Sequence, residues 1–299
     1  MPPRFFCRTP LPRQHFPQVI ALDDDCARHV RVLRLAEGDV ITLFDGVTDQ
    51  TTKAGEATAV IKTIDKRSMA VEITAWHEVQ RESGLDVALI QSLATGDKMD
   101  LIIQKAVELG VTEVVPLRTS RSTLKLDAER AEKRLVHWRG VAIAACEQCG
   151  RNVVPPVTKI HSIEELLITP LSRRTPGSRG GQVIENTKGL DSGLRRNDEI
   201  CGFLEVAIDQ TQALTRCLGI LHPESGADRR VSLLAWAQAN AGKPLGILVG
   251  PEGGFSDVEI AAAVAKGATL VTLGPRVLRT ETAGLAALAI LQSTLGDLG

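Results

Sequence analysis

Two glycine-rich turns near the C-terminal end constrain this chain most. The first, Leu-Val-Gly-Pro-Glu-Gly-Gly-Phe-Ser, runs from Leu248 to Ser256, and the second, Leu-Gly-Pro-Arg-Val-Leu-Arg-Thr-Glu-Thr-Ala, from Leu273 to Ala283. Each follows a short apolar run, Leu245 to Val249 and Thr269 to Leu273, that reads as a buried strand. Each then opens into a helical pattern. Ser256 with Glu259 three residues on forms a capping box. The helix behind it carries Val258, Ala261, Ala262 and Ala265 on one face, the expected core face, and closes at Gly267. Glycines 250, 253 and 254 leave backbone N–H and C=O groups uncovered, so a flat ligand can approach the main chain. One such loop is as readily an ordinary strand-to-helix connection. Two of them, about 25 residues apart in one α/β stretch, point to a ligand site at strand C-termini.

Upstream, the chain divides in two. Residues 1–75 read as a small β-rich domain: a turn at Glu37-Gly38-Asp39, strands Val40–Phe44, Ala57–Ile64 and Met69–Ala75, and a hairpin signal at Asp45-Gly46. The first 34 residues hold Arg4, Arg8, Arg13, Arg28, Arg31 and Arg34 against Asp23, Asp24 and Asp25. Arg28, Arg31 and Arg34 recur every third residue, along one side of a helix. That side reads either as a solvated face or as a phosphate-contacting one.

From residue 76 to 299 strands and helices alternate, the pattern of a mostly parallel sheet covered by helices. Val87–Leu93 is a strand and Asp97–Leu109 an amphipathic helix burying Met99, Ile102, Ile103 and Ala106, with Gly110 as its C-cap. Val111–Leu117 is a strand that Pro116 places at an edge or an end. Asp127–Cys149 is a long helix, and Val153–Ile160 is a further strand. Residues 172–203 break the pattern: rich in Gly, Arg, Ser and Asp and without a period, they read as a disordered insertion. The pattern resumes with a strand at Leu218–Leu221 and a helix at Val231–Ala241.

Composition excludes some classes. With 35 basic and 36 acidic residues the chain is not a non-specific polyanion binder, though a local basic patch remains open. The longest apolar stretch, Ala283–Leu291, suits a buried helix and is too short to span a membrane. The N-terminus lacks the apolar core of a signal peptide, so the expected location is cytoplasmic. Six cysteines are scattered. Cys146 and Cys149 form a C-x-x-C without a second pair, and it ends a helix; neither a metal site nor a redox role is expected.

Several stretches together resemble one family, the bacterial RsmE-type methyltransferases of the SPOUT class. They are RHVRVLRLAEG (Arg28–Gly38), GDKMDLIIQKAVELGVTEVVPLRTS (Gly96–Ser120), EQCGRNVV (Glu147–Val154), LHPE (Leu221–Glu224), LVGPEGGFSDVE (Leu248–Glu259) and LGPRVLRTETA (Leu273–Ala283). They follow the family's order along nearly the whole chain. Residues 172–203 have no family counterpart, and Cys149 stands where the family usually has serine.

The resemblance implies an α/β protein: an N-terminal PUA-like RNA-binding β-barrel and a C-terminal SPOUT α/β domain tied in a trefoil knot, assembled as a homodimer. It implies S-adenosyl-L-methionine as cofactor and a uridine N3 in 16S ribosomal RNA of the small subunit as methyl acceptor. Carried over by position, cofactor contacts fall on Leu221, Gly250, Pro251, Gly253, Gly254, Leu273, Gly274, Arg276, Val277, Leu278 and Thr280. Arg4, Arg28, Arg31 and Arg34 are candidates for RNA contact. Arg279 and Glu281, beside the second turn, are candidate catalytic residues; Glu281 is equally explained as a first-turn residue favoured by the helix dipole. Other readings stay open at this point: a knotted methyltransferase with a ribose or tRNA acceptor, a nucleotide-binding enzyme, or an RNA-binding protein without activity. No Lys follows the glycines in P-loop fashion.

Overall fold

The computed structural model describes residues 2–47, 54–65, 68–122, 126–168, 216–223 and 231–299. The expected insertion at 172–203, Cys201 and Glu224 lie outside these residues. The chain forms two compact units, Met1–Glu82 with Ala142–Val154, and Ser83–Val141 with Pro155–Gly299.

In the first unit, β1 (Arg4–Phe6), β2 (Gln18–Leu22), β3 (Val40–Phe44), β4 (Gly55–Ile64) and β5 (Met69–Glu78) form one sheet in the order β1-β3-β4-β5-β2. Alternation along β4 and β5 turns Ala57, Ala59, Ile61, Met69, Val71 and Ile73 into a core. Helix α1 (Asp24–Val32) closes that core with Cys26, Ala27 and Val30, capped by the Asp23 carboxylate accepting from the Cys26 N–H. Strand β5 runs three residues past Ala75, and the unit therefore extends beyond residue 75. The last residues of helix α3 (Ala128–Cys149) also belong to it, an association no local pattern announces.

The second unit is a seven-stranded parallel sheet. Its strands are β6 (Val87–Ser92), β7 (Glu113–Arg118), β8 (His161–Ser162), β9 (Cys217–Leu221), β10 (Val231–Ser232), β11 (Leu245–Val249) and β12 (Thr269–Thr272), in the order β10-β12-β9-β11-β6-β7-β8. The central strands β6 and β11 are buried throughout, as strands covered on both faces must be. Helices α4 (Ile163–Ile168) and α6 (Asp257–Ala265) pack together and share one core with β7, β9 and β11. Helix α2 (Lys98–Glu108) and α5 (Leu233–Ala239) pack on α7 (Thr280–Leu295), which lies against β6 and β11.

Several expectations are corrected. Residues 153–160 form no strand. Pro155 and Pro156 have no N–H to give a ladder, and only a bridge at Val157 survives before β8. Strand β7 is not at an edge; Pro116 falls between the Val114–Val157 bridge and the β8 pairing at Leu117, outside both. The expected helix from Val231 begins with the short strand β10, and Ser232 then caps α5 by accepting from the Ala235 N–H. Helix α6 is rotated relative to its expected face. Val258 is 79% exposed, while Glu259 and Ala263 are buried, because the Glu259 carboxylate is drawn inward by Ser120 and Ser256. Among the described residues no helix is long and apolar enough to cross a membrane.

Candidate functional site

Strands β12, β9 and β11 are neighbours and parallel, so their C-terminal ends meet on one edge of the sheet. Both glycine turns leave from that edge, the first from Val249 and the second from Thr272. Between them lies a cavity of about 310 Å³, the size of a small-molecule site. Every residue named above as a cofactor contact lines it except Gly253, and so do Arg279 and Glu281. A Cβ on Gly253 would instead face the stem of Arg121.

Side chains outside the turns hold them in shape. Arg121 Nη1 donates to the carbonyls of Gly253 (2.9 Å) and Phe255 (3.2 Å). The capping box forms as expected, and Glu259 also accepts from the Ser120 N–H (2.7 Å) and hydroxyl (3.0 Å). Burial alone would raise the Glu259 pKa, but the hydrogen bonds from Ser120 and Ser256 outweigh it and hold the carboxyl below its ordinary value. Gly254 (φ +66°) and Gly274 (φ +106°) adopt left-handed backbone that other residues rarely reach. Thr272 Oγ1 stabilises the second turn, accepting from the Gly274 N–H (3.1 Å).

A buried polar relay ties both turns to the sheet. Gln91 Nε2, on β6, donates to Thr280 Oγ1 (2.9 Å), which donates to the Gly250 carbonyl (2.7 Å). Gly284 lets α7 come this close: a Cβ there would stand 3.0 Å from Leu89 and 3.3 Å from Gln91 Oε1. The cavity also gathers charges that sequence spacing does not bring together. Lys98, at the start of α2, is 3.0 Å from Glu252 in the first turn and 3.4 Å from Glu281 in the second. Lys98, His222, Glu252, Phe255 and Thr272 escaped the sequence reading, as did Gln91 behind the wall. Lys98, His222, Glu252 and Phe255 stood inside quoted motifs, but nothing local set them apart; Gln91 carried no such signal.

The N-terminal arginines divide. Arg28 and Arg31 are exposed on α1, Arg28 pairing with Asp24 and Asp25. Arg34 is exposed too, but it lies past the helix end in left-handed backbone (φ +58°), off the face of the other two. Arg4 is no surface arginine. Its guanidinium is buried, ion-paired with Glu56, donates to Asn152 Oδ1 (2.6 Å) and lies over the Phe44 ring.

Cys146 is buried and Cys149 partly so, and both are free thiols. Burial pushes the Cys146 pKa up to about 12 and that of Cys7 to about 11, so both stay protonated at neutral pH. Among the described residues no group of three His, Cys, Asp or Glu is arranged to hold a metal.

A parallel sheet with its cavity at the strand ends, in a chain that also holds a small β unit, defines a class that comparison makes specific. The family model described as "RNA methyltransferase domain" matches residues 81–174 and 199–292, and that described as "RNA methyltransferase PUA domain" matches 22–74. The chain belongs to the ribosomal RNA small subunit methyltransferase E family. The protein of that name from Bacillus subtilis (strain 168) is 29% identical over 266 residues, 88% of this chain and 84% of that one. The crystal structure of the protein of that name from Neisseria gonorrhoeae, bound to S-adenosyl methionine, is 33% identical and superposes with a TM-score of 0.74, covering 100% of both chains. A Legionella pneumophila structure in complex with SAM is 29% identical, with a TM-score of 0.75 over 100% of each chain.

Proposed function

We propose that this protein transfers the methyl group of S-adenosyl-L-methionine to N3 of a uridine in 16S ribosomal RNA of the small ribosomal subunit. The observation that carries the reading is the cavity built by both glycine turns at the strand ends, in a chain whose relatives carry that name and include one solved with the cofactor. The cavity suits such a ligand. Backbone groups at Gly250 and Gly254 can meet the adenine edge, and Leu221, Leu273 and Leu278 can cover its faces. Arg276 suits its carboxylate. When bound, the cofactor supplies an electrophilic methyl on a sulfonium that leaves as a neutral thioether. Glu281 accepts the proton of the uracil imide, and Arg279 neutralises charge developing on the uracil oxygen.

The first unit holds the RNA, and Arg28, Arg31 and Arg34 contact phosphate. All three are exposed, which supports that role, whereas the buried Arg4 gains no such support. The protein acts in the cytoplasm, without a metal. It works as a homodimer with a knotted second unit; exposed Val258 and Val264 on α6 support a partner surface, and sedimentation equilibrium should give twice the chain mass.

Calorimetry with S-adenosylhomocysteine and ATP in parallel, followed by mass mapping of the methylated nucleoside, tests the central reading. Binding of S-adenosylhomocysteine alone and 3-methyluridine as product are expected; ATP binding or a ribose-methylated product rejects it. Replacing Arg28, Arg31 and Arg34 by Gln should weaken small-subunit binding and lower its log–log salt slope by about 1 per lost contact, with cofactor affinity unchanged. A triple variant that binds RNA like wild type but melts earlier makes these arginines structural.

A further inference from the structure

Lys98 lies far in sequence from both turns, yet its ammonium stands between their two carboxylates. Glu252 Oε1 is 3.0 Å away and Glu281 Oε2 3.4 Å. That Glu281 oxygen is sealed from solvent and has no hydrogen-bond donor, so the nearby ammonium is what compensates its charge. All three residues line the same cavity. We propose that Lys98 is a positioning residue for methyl transfer: paired with both Glu252 and Glu281, it holds the Glu281 carboxylate inside the cavity. This rests on the reading of Glu281 as proton acceptor.

The ammonium cannot itself be that acceptor. The hydrogen bond to Glu252 raises the Lys98 pKa, opposed in part by desolvation and supported by the charges of Glu252 and Glu281, so it is protonated at neutral pH. The other charged or titratable groups lining the cavity are His222, Arg276 and Arg279. In the step it serves, the N3–H bond of the acceptor breaks and its proton goes to Glu281. The nitrogen forms the new bond to the methyl carbon, and sulfur keeps the electron pair of the bond that is lost. Without Lys98 the Glu281 carboxylate loses its counter-charge and turns towards water, away from the reacting nitrogen. The turns keep their backbone shape, because Arg121, Thr272 and Thr280 hold them independently.

The test uses the full-length protein and small ribosomal subunits lacking the modification, with Lys98→Met, Lys98→Arg, Glu281→Gln and the double variant Lys98→Met/Glu281→Gln. Lys98→Met is expected to lower kcat at least about tenfold while KM for S-adenosylmethionine and the Kd for S-adenosylhomocysteine stay within about threefold. Lys98→Arg should restore most of the rate. The double variant should be no slower than Glu281→Gln alone, since both changes act through one group. Additive losses in the double variant overturn the proposal, as does an arginine that fails to restore the rate. Lys98→Met that loses cofactor binding and kcat together also overturns it. Failure of the wild-type protein to bind S-adenosylhomocysteine rejects the cofactor reading itself, and calorimetry reads that separately.

Discussion

Gly274→Val should weaken S-adenosylhomocysteine binding at least about a hundredfold, roughly 2.7 kcal/mol, with the melting transition of the protein retained. Position 274 has φ +106°, a conformation that costs a β-branched residue about 1–3 kcal/mol. A Cβ there meets no protein atom within 4 Å, so packing does not oppose the substitution; the backbone does. The second turn must therefore relax, and the cavity wall it forms from Leu273 to Leu278 moves with it. Gly253→Ala is the control. Gly253 is not left-handed, does not line the cavity, and its Cβ would make ordinary contacts of 3.5 and 3.6 Å with Arg121. It should bind within a few-fold of wild type. Equal, wild-type affinity in both variants would mean that the second turn is no part of the cofactor site.

The other large effect is on stability. Arg4→Met should cost the first unit about 3 kcal/mol, measured by denaturant titration, because it breaks a buried ion pair and leaves the Asn152 side chain short of a donor. Cofactor affinity should not change, since the residues lining the cavity all belong to the second unit. The loss should also depend on pH. Burial favours protonated Glu56, but hydrogen bonds from Arg81 and Arg4 outweigh it and hold the carboxyl below its ordinary value. A depressed carboxylate contributes stability above its unfolded pKa, about 4.3, and loses it as pH falls through the lower folded value. The gap between wild type and Arg4→Met should thus be full at pH 7 and shrink below about pH 4. A gap that is absent at pH 7, with weakened RNA binding instead, would return Arg4 to the RNA surface.

Arg4 and Gly253 show what residue-by-residue inference cannot see. An arginine near a chain start reads as exposed, since nothing local reveals that Glu56 and Asn152 will fold around it. Gly253 sits in the right motif, but the motif does not say which way each of its residues faces. Helix α6 fails for a related reason: Val258, Ala261, Ala262 and Ala265 share a helical face as expected, yet the polar grip of Ser120 on Glu259 turns the opposite face inward.

What the sequence determined by itself is what short-range physics controls. Apolar runs of strand length, the capping box at Ser256 and Glu259, the glycines that permit left-handed turns and each motif that marks the family are set by residues close to one another in the chain. They were enough to place the cavity's walls at the two turns. Tertiary structure alone decided which side chains from elsewhere complete it. Gln91 and Thr280 meet across 189 residues and Lys98 and Glu252 across 154, and no local periodicity encodes such a meeting. These contacts exist because a parallel sheet orders its strands as β12-β9-β11-β6, not as they follow in the chain, and so gathers distant strand ends and helix starts at one edge.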